Sequence, residues 1–196
     1  IAGSVGPSGK LLKPHGNIAS ETMLGSFLQQ SEALIREGVD LILIETMIDL
    51  EEALLALQSV RSISDTIPIA VSMMYNNTAS GFFTIMGNSL EDCVQKLSKA
   101  GCDILGSNCG NDIQNMIDIA KSLKKFSRLP ILIQANAGNP EIIESAVIYP
   151  ESPKKFYEMA KQLIQIGVSV IGGCCGTEYE HIKSIRNAVD SMLLEE

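Results

Sequence analysis

Leu41-Ile42-Leu43-Ile44-Glu45-Thr46 is a continuous apolar run that closes on a carboxylate and a hydroxyl, and a helical pattern follows it from Asp49. A half-exposed strand alternates apolar and polar residues, whereas a run without alternation suits a parallel strand covered on both faces. The unit recurs along the chain. Ile1 to Val5, Ile69 to Met74, Ile104 to Asn108, Ile131 to Asn136 and Val168 to Gly173 are further near-continuous runs.

Amphipathic segments lie between them. Ser20 precedes Leu24, Phe27, Leu28, Leu34 and Ile35, with a stop at Gly38, and Asp49 with Glu52 predicts a capping box before Ala53, Leu54, Leu57 and Val60. Asn88 with Glu91 predicts the start of a helix ending at Gly101, while Ile113, Met116, Ile117, Ala120 and Leu123 keep helical spacing. Ser152-Pro153 opens another helix, and Thr177 with Glu180 predicts the cap of a last one running to the C-terminus. Repeated β-α units without a Gly/Ser-rich linker predict a single α/β domain. Periodicity leaves a doubly wound sheet and part of a (β/α)8 barrel both open; a complete barrel takes about 250 residues, so six units fall two short.

Composition bounds the function. The 196 residues are 45% hydrophobic and 19% charged, with a formal charge of -8 and no block of either sign. Such a chain is globular, and without a basic face it is a poor partner for nucleic acid. It contains no apolar run of about 18 residues and no leader-like start, so neither membrane insertion nor secretion is expected. Cytoplasmic placement is the expectation. The first residues lie inside an apolar run without an initiating Met, which predicts further residues upstream.

In parallel α/β folds the chemistry collects at the C-terminal ends of the strands. Those ends offer Gly6-Pro7, Glu45-Thr46, Met74-Tyr75-Asn76, Asn108-Cys109-Gly110, Asn136-Ala137-Gly138 and Gly172-Gly173-Cys174-Cys175-Gly176. Cys109, Cys174 and Cys175 therefore predict a three-thiolate cluster, which suits zinc with one open position. Adjacent Cys174 and Cys175 cannot face one way on a regular strand, so they require a bent loop, which the flanking glycines permit. Cys93 and Cys102 fall away from the strand ends and read as buried apolar residues. His15 and His181 read as solvated polar residues. Gly6-Pro7-Ser8-Gly9-Lys10 is not a nucleotide loop, because Ser4 and Leu11 break the required G-x4-G-K-[ST] pattern. Glu45 is expected to face the mouth as a counter-charge for an ammonium or to accept from nearby backbone, and Asn108 and Asn136 read as site residues or turn formers.

Gly106-Ser107-Asn108-Cys109-Gly110, Gln134-Ala135-Asn136-Ala137-Gly138-Asn139-Pro140 and Gly172-Gly173-Cys174-Cys175-Gly176-Thr177 resemble the zinc-dependent homocysteine S-methyltransferases. The likeness is closest to the homocysteine-binding domain of cobalamin-dependent methionine synthase, and it spans essentially the whole chain. Ala2 to Pro7 and Asp40 to Thr46 look like that domain's third and fourth barrel strands.

The resemblance implies a (β/α)8 TIM barrel of which residues 1–196 supply strands 3 to 8, lacking the first two β-α units and their share of the substrate pocket. It implies that Cys109, Cys174 and Cys175 hold Zn2+, that homocysteine sulfur takes the open position, and that Glu45, Asn108 and Asn136 serve the substrate or its loops. Methylcobalamin on a corrinoid-binding partner domain is the implied donor, with betaine and S-methylmethionine belonging to sister families. A non-catalytic zinc or thiol-binding barrel remnant is the alternative. Open sheet edges at Ile1 to Val5 and Val168 to Gly173 predict self-association or coverage by another polypeptide.

Overall fold

The computed structural model describes residues 1–194. In chain order the elements are β1 (Ala2–Val5), α1 (Ser20–Arg36), β2 (Leu41–Met47), α2 (Leu50–Ile63), β3 (Ile69–Met73), β4 (Asn76–Thr78) and β5 (Gly81–Phe83). There follow α3 (Leu90–Lys99), β6 (Ile104–Asn108), α4 (Ile113–Phe126), β7 (Ile131–Ala135), β8 (Glu141–Ile143), β9 (Ala146–Ile148), α5 (Pro153–Ile166), β10 (Val170–Gly173) and α6 (Tyr179–Leu193).

Six strands form one parallel sheet in the order β1-β2-β3-β6-β7-β10. Each spatial neighbour is the next long strand in sequence, and the sheet curls into part of a (β/α) barrel, which decides between the two folds that periodicity left open and agrees with the one the family resemblance implies. Among the described residues β1 and β10 each pair on one side only.

Strand geometry sorts the side chains into two layers. Ile42, Ile44, Ile69, Val71, Met73, Leu105, Ile131 and Ile133 face outward and are buried in the main core with Leu57, Leu97, Met116 and Phe156 of the helices. Fully burying one such side chain contributes roughly 1.5–3 kcal/mol, so this outer layer carries most of the stability. The concave face holds a smaller cluster of Leu43, Ala70 and Leu132, flanked by Leu41 and Ile104. Ser4 lies level with Leu43, and further along the strands, toward their C-terminal ends, the residues in phase with that cluster turn polar: Glu45, Ser72, Asn108 and Gln134. An apolar floor thus carries a polar rim.

The helix starts differ in detail from the sequence pattern. Asp49 caps α2 through Glu51 N–H, but the Glu52 carboxylate accepts from Ser8 N–H at 2.7 Å instead of closing a capping box. Ser89 rather than Asn88 caps α3, and Glu178 rather than Thr177 caps α6. Thr177 is occupied elsewhere, its hydroxyl donating to Cys174 O at 2.7 Å. The last strand begins at Val170 instead of Val168, because Val168 N–H closes the end of α5 on Leu163 O. The reading of α6 to the C-terminus extends to residues 195 and 196, outside the described residues.

Two antiparallel hairpins, β4-β5 and β8-β9, were not legible as strands. They are short and largely exposed, so they lack the buried apolar runs that mark the main strands. The second turns through Glu144 and Ser145, both at positive φ, without the glycine that advertises such a turn. Among the described residues no helix is long and apolar enough to cross a membrane.

Candidate metal centre

Cys109, Cys174 and Cys175 come together as the sequence predicts, their sulfur atoms all within 4.8 Å of one another. Cys109 follows the last residue of β6, and Cys174 and Cys175 follow β10; the sheet order places β7 between them. The end of β7 fixes all three. Cys109 N–H donates to Gln134 O at 3.4 Å, Cys174 N–H to Ala135 O at 2.8 Å, and Cys175 N–H to Asn136 Oδ1 at 3.2 Å. Ala137 N–H returns a bond to Cys175 O at 2.9 Å.

Backbone conformation aims the thiols. Cys109 sits at φ 62°, a left-handed conformation that non-glycine residues adopt at a cost of order 1–3 kcal/mol. That cost is carried where the sulfur must leave the strand direction. Gly176 turns the second loop at φ 75°, and Tyr149 packs so closely on it that an added Cβ would lie 2.1 Å from the ring.

The sulfur set fits a tetrahedral cation. Cys109 and Cys175 sulfurs are 3.7 Å apart, and Cys174 and Cys175 sulfurs 4.0 Å. A zinc–sulfur length of about 2.3 Å puts two ligands of one tetrahedron about 3.8 Å apart. Burial, followed by the neighbouring thiols, pushes Cys174 up to about 11, and burial with Cys175 raises Cys109. Three crowded thiolates repel one another, so a divalent cation among them would stabilise the ionised set.

Asn108 is fully buried at the end of β6, with both ends of its amide engaged. Its Oδ1 accepts from Thr46 N–H at 2.8 Å and from Ser72 Oγ at 2.7 Å. Its Nδ2 donates to Thr46 Oγ1 at 2.7 Å and to Cys174 Sγ at 3.7 Å. Asn136 is likewise bonded to the cysteine loop. Glu45 is half-buried on the concave side and accepts from Ser4 Oγ at 2.6 Å.

The sequence reading noted Thr46 at a strand end without giving it a role, and it passed over Ser72. Thr46 lies within the β2 irregularity between Ile44 and Met47 at φ 63°, held there by both ends of the Asn108 amide. The available signal for Ser72 was a hydroxyl inside the otherwise apolar run Ile69 to Met74.

His15 is exposed as expected, but His181 is buried, which corrects its solvated reading. Its Nδ1 accepts from Glu178 N–H at 3.0 Å, its Nε2 donates to Glu151 O at 2.9 Å, and its ring meets Phe156 edge-on at 4.9 Å. These bonds tie the start of α6 to the start of α5. Cys93 and Cys102 are buried, and the Ser4 to Lys10 segment joins the end of β1 to an irregular loop.

Comparisons with known proteins agree with this geometry. Methionine synthase of Mycobacterium leprae is 28% identical over 194 residues, and that of Mycobacterium tuberculosis 27% over 194 residues. Each match covers 96% of this chain and 16% of the relative, so the chain spans about a sixth of those proteins. Among solved structures, the homocysteine methyltransferase MmuM from Escherichia coli superposes with a TM-score of 0.75 in its apo form and 0.74 in its metallated form. At 22% identity the likeness covers 95% of this chain and 61% or 60% of those chains, and it shows the barrel fold. A family model described as homocysteine S-methyltransferase matches residues 1–189, and the chain belongs to that family.

Proposed function

We propose that this chain supplies the zinc and homocysteine site of an enzyme that methylates the homocysteine thiol to give methionine. The observation that carries the reading is the three-sulfur cluster at the strand ends. Cys109, Cys174 and Cys175 would hold Zn2+, and the metallated form of a family relative supports that assignment. When bound, zinc lets a thiol with an ordinary pKa near 8.5 stand as thiolate at neutral pH while remaining nucleophilic.

The chain's own residues then position the reactants. Glu45, at the concave mouth, meets the substrate ammonium. Asn136 holds the Cys174-Cys175 loop through Cys175 N–H, and Asn108 holds the same loop from the β6 side. The homocysteine sulfur forms a bond to the methyl carbon while the donor's bond to that carbon breaks, the electron pair leaving with the donor. Methylcobalamin on a corrinoid-binding partner domain is the donor we favour, because the methionine synthase relatives extend far beyond the matched region. Betaine and S-methylmethionine are the alternatives. The free edges of β1 and β10 are where two further barrel strands would pair.

Metal analysis followed by methyl transfer to homocysteine from each of the three donors tests the proposal. Zinc-dependent methionine formation is expected in the protein that contains this chain. Transfer unaffected by complete zinc removal would contradict it.

A further inference from the structure

Asn108 joins the metal cluster to the turn that carries Glu45. The Thr46 backbone N–H can only donate, so the Asn108 atom 2.8 Å from it is the carbonyl oxygen and the amide orientation is fixed. The other end is then Nδ2, which has two hydrogens and two neighbours: Thr46 Oγ1 at 2.7 Å and Cys174 Sγ at 3.7 Å. Oδ1 takes its second hydrogen from Ser72. Every hydrogen-bonding valence of the side chain is spent, within a group that has no exposed surface.

Resting on the reading that the three cysteines hold a metal, we propose that Asn108 is a positioning residue that donates an N–H···S hydrogen bond to the metal-bound Cys174 sulfur. The same amide clamps Thr46 at φ 63°, directly after Glu45. A thiolate that accepts an N–H carries less charge on sulfur and is fixed in direction. One amide therefore sets both the electron density of a ligand and the backbone beside the Glu45 carboxylate. Partners of this kind typically influence metal affinity by roughly 10–100-fold.

The experiment uses the protein loaded with an NMR-active cadmium isotope and labelled with nitrogen-15 in its asparagine side chains. The expected result is a scalar coupling from cadmium, through Cys174 Sγ, to one Asn108 Nδ2 proton. Asn108→Asp keeps the shape and both acceptor contacts but removes both donors; it should abolish the coupling and weaken zinc binding by roughly 10–100-fold in a chelator competition. If that variant does not fold, the wild-type coupling decides alone. Absence of coupling in cadmium-loaded wild type, or unaltered zinc affinity in folded Asn108→Asp, would overturn the inference while leaving the metal site standing. Failure of the wild type to bind cadmium or zinc would overturn both.

Discussion

The sulfur atoms of Cys109 and Cys175 lie 3.7 Å apart although the residues are separated by 66 positions in the chain. The two strands that flank β7 end one residue apart in register, opposite Gln134 and Ala135, and the end of β7 fixes the loops that follow both. Parallel register alone brings two strand ends together; the left-handed Cys109 and the Gly176 turn then aim the thiols at one point.

Thiol accessibility separates this cluster from the other cysteines. In the metal-free folded protein, the three cluster thiols should react with a small alkylating reagent, while Cys93 and Cys102 stay protected because they are buried out of the reagent's reach. Prior addition of zinc should protect all three. Mass spectrometry of the labelled peptides checks both statements, and labelling of Cys93 in the native state would count against the core assignment.

Much of this was legible because burial is written in the apolar runs. The six parallel strands, their order along the chain and the meeting of Cys109 with Cys174 and Cys175 all follow from unbroken runs that end in chemical residues. His181 misled because a histidine in a first helical turn has the same local pattern whether it faces water or a neighbouring helix. Only the packing of α6 on α5 decides it. The Thr46-Ser72-Asn108 network was equally hidden, since its members come from three strands and are brought together by register rather than by spacing.

Glu45→Gln should weaken homocysteine binding at least tenfold, or about 1.4 kcal/mol, while zinc content stays unchanged. It removes the charge from a carboxylate beside Ser4 without altering its shape. Calorimetric titration with homocysteine and parallel metal analysis distinguish this from a general loss of structure. An unaltered homocysteine affinity would remove Glu45 from the site.

The Gly176→Ala substitution is expected to disturb the metal loop more than the fold. The position requires φ 75°, and its new methyl would meet the Tyr149 ring at 2.1 Å. Together these should cost about 1–3 kcal/mol and move Cys175 relative to Cys109. Thermal unfolding and zinc retention under chelation are the measurements. Wild-type values in both would show that the loop is more yielding than its packing indicates.

The metal-free protein should lose stability in alkali. Burial holds Cys93 at about 11, and burial with the Asp103 carboxylate holds Cys102 at about 12, above the ordinary thiol value of about 8.5. The folded chain therefore binds more protons than the unfolded chain above about pH 8.5, so stability is full below that point and falls as pH rises toward the folded values. Urea denaturation from pH 8 to pH 11 should show a declining midpoint, with a shallower decline in Cys102→Ala. A flat profile would contradict the buried-thiol account.

The most direct test of the central claim is zinc stoichiometry in the five single Cys→Ala variants, measured after dialysis against a weak chelator. The wild type should retain about one zinc per chain, Cys109→Ala, Cys174→Ala and Cys175→Ala should lose most of it, and Cys93→Ala and Cys102→Ala should keep it. Equal retention across all five would show that the three strand-end cysteines are not the metal site.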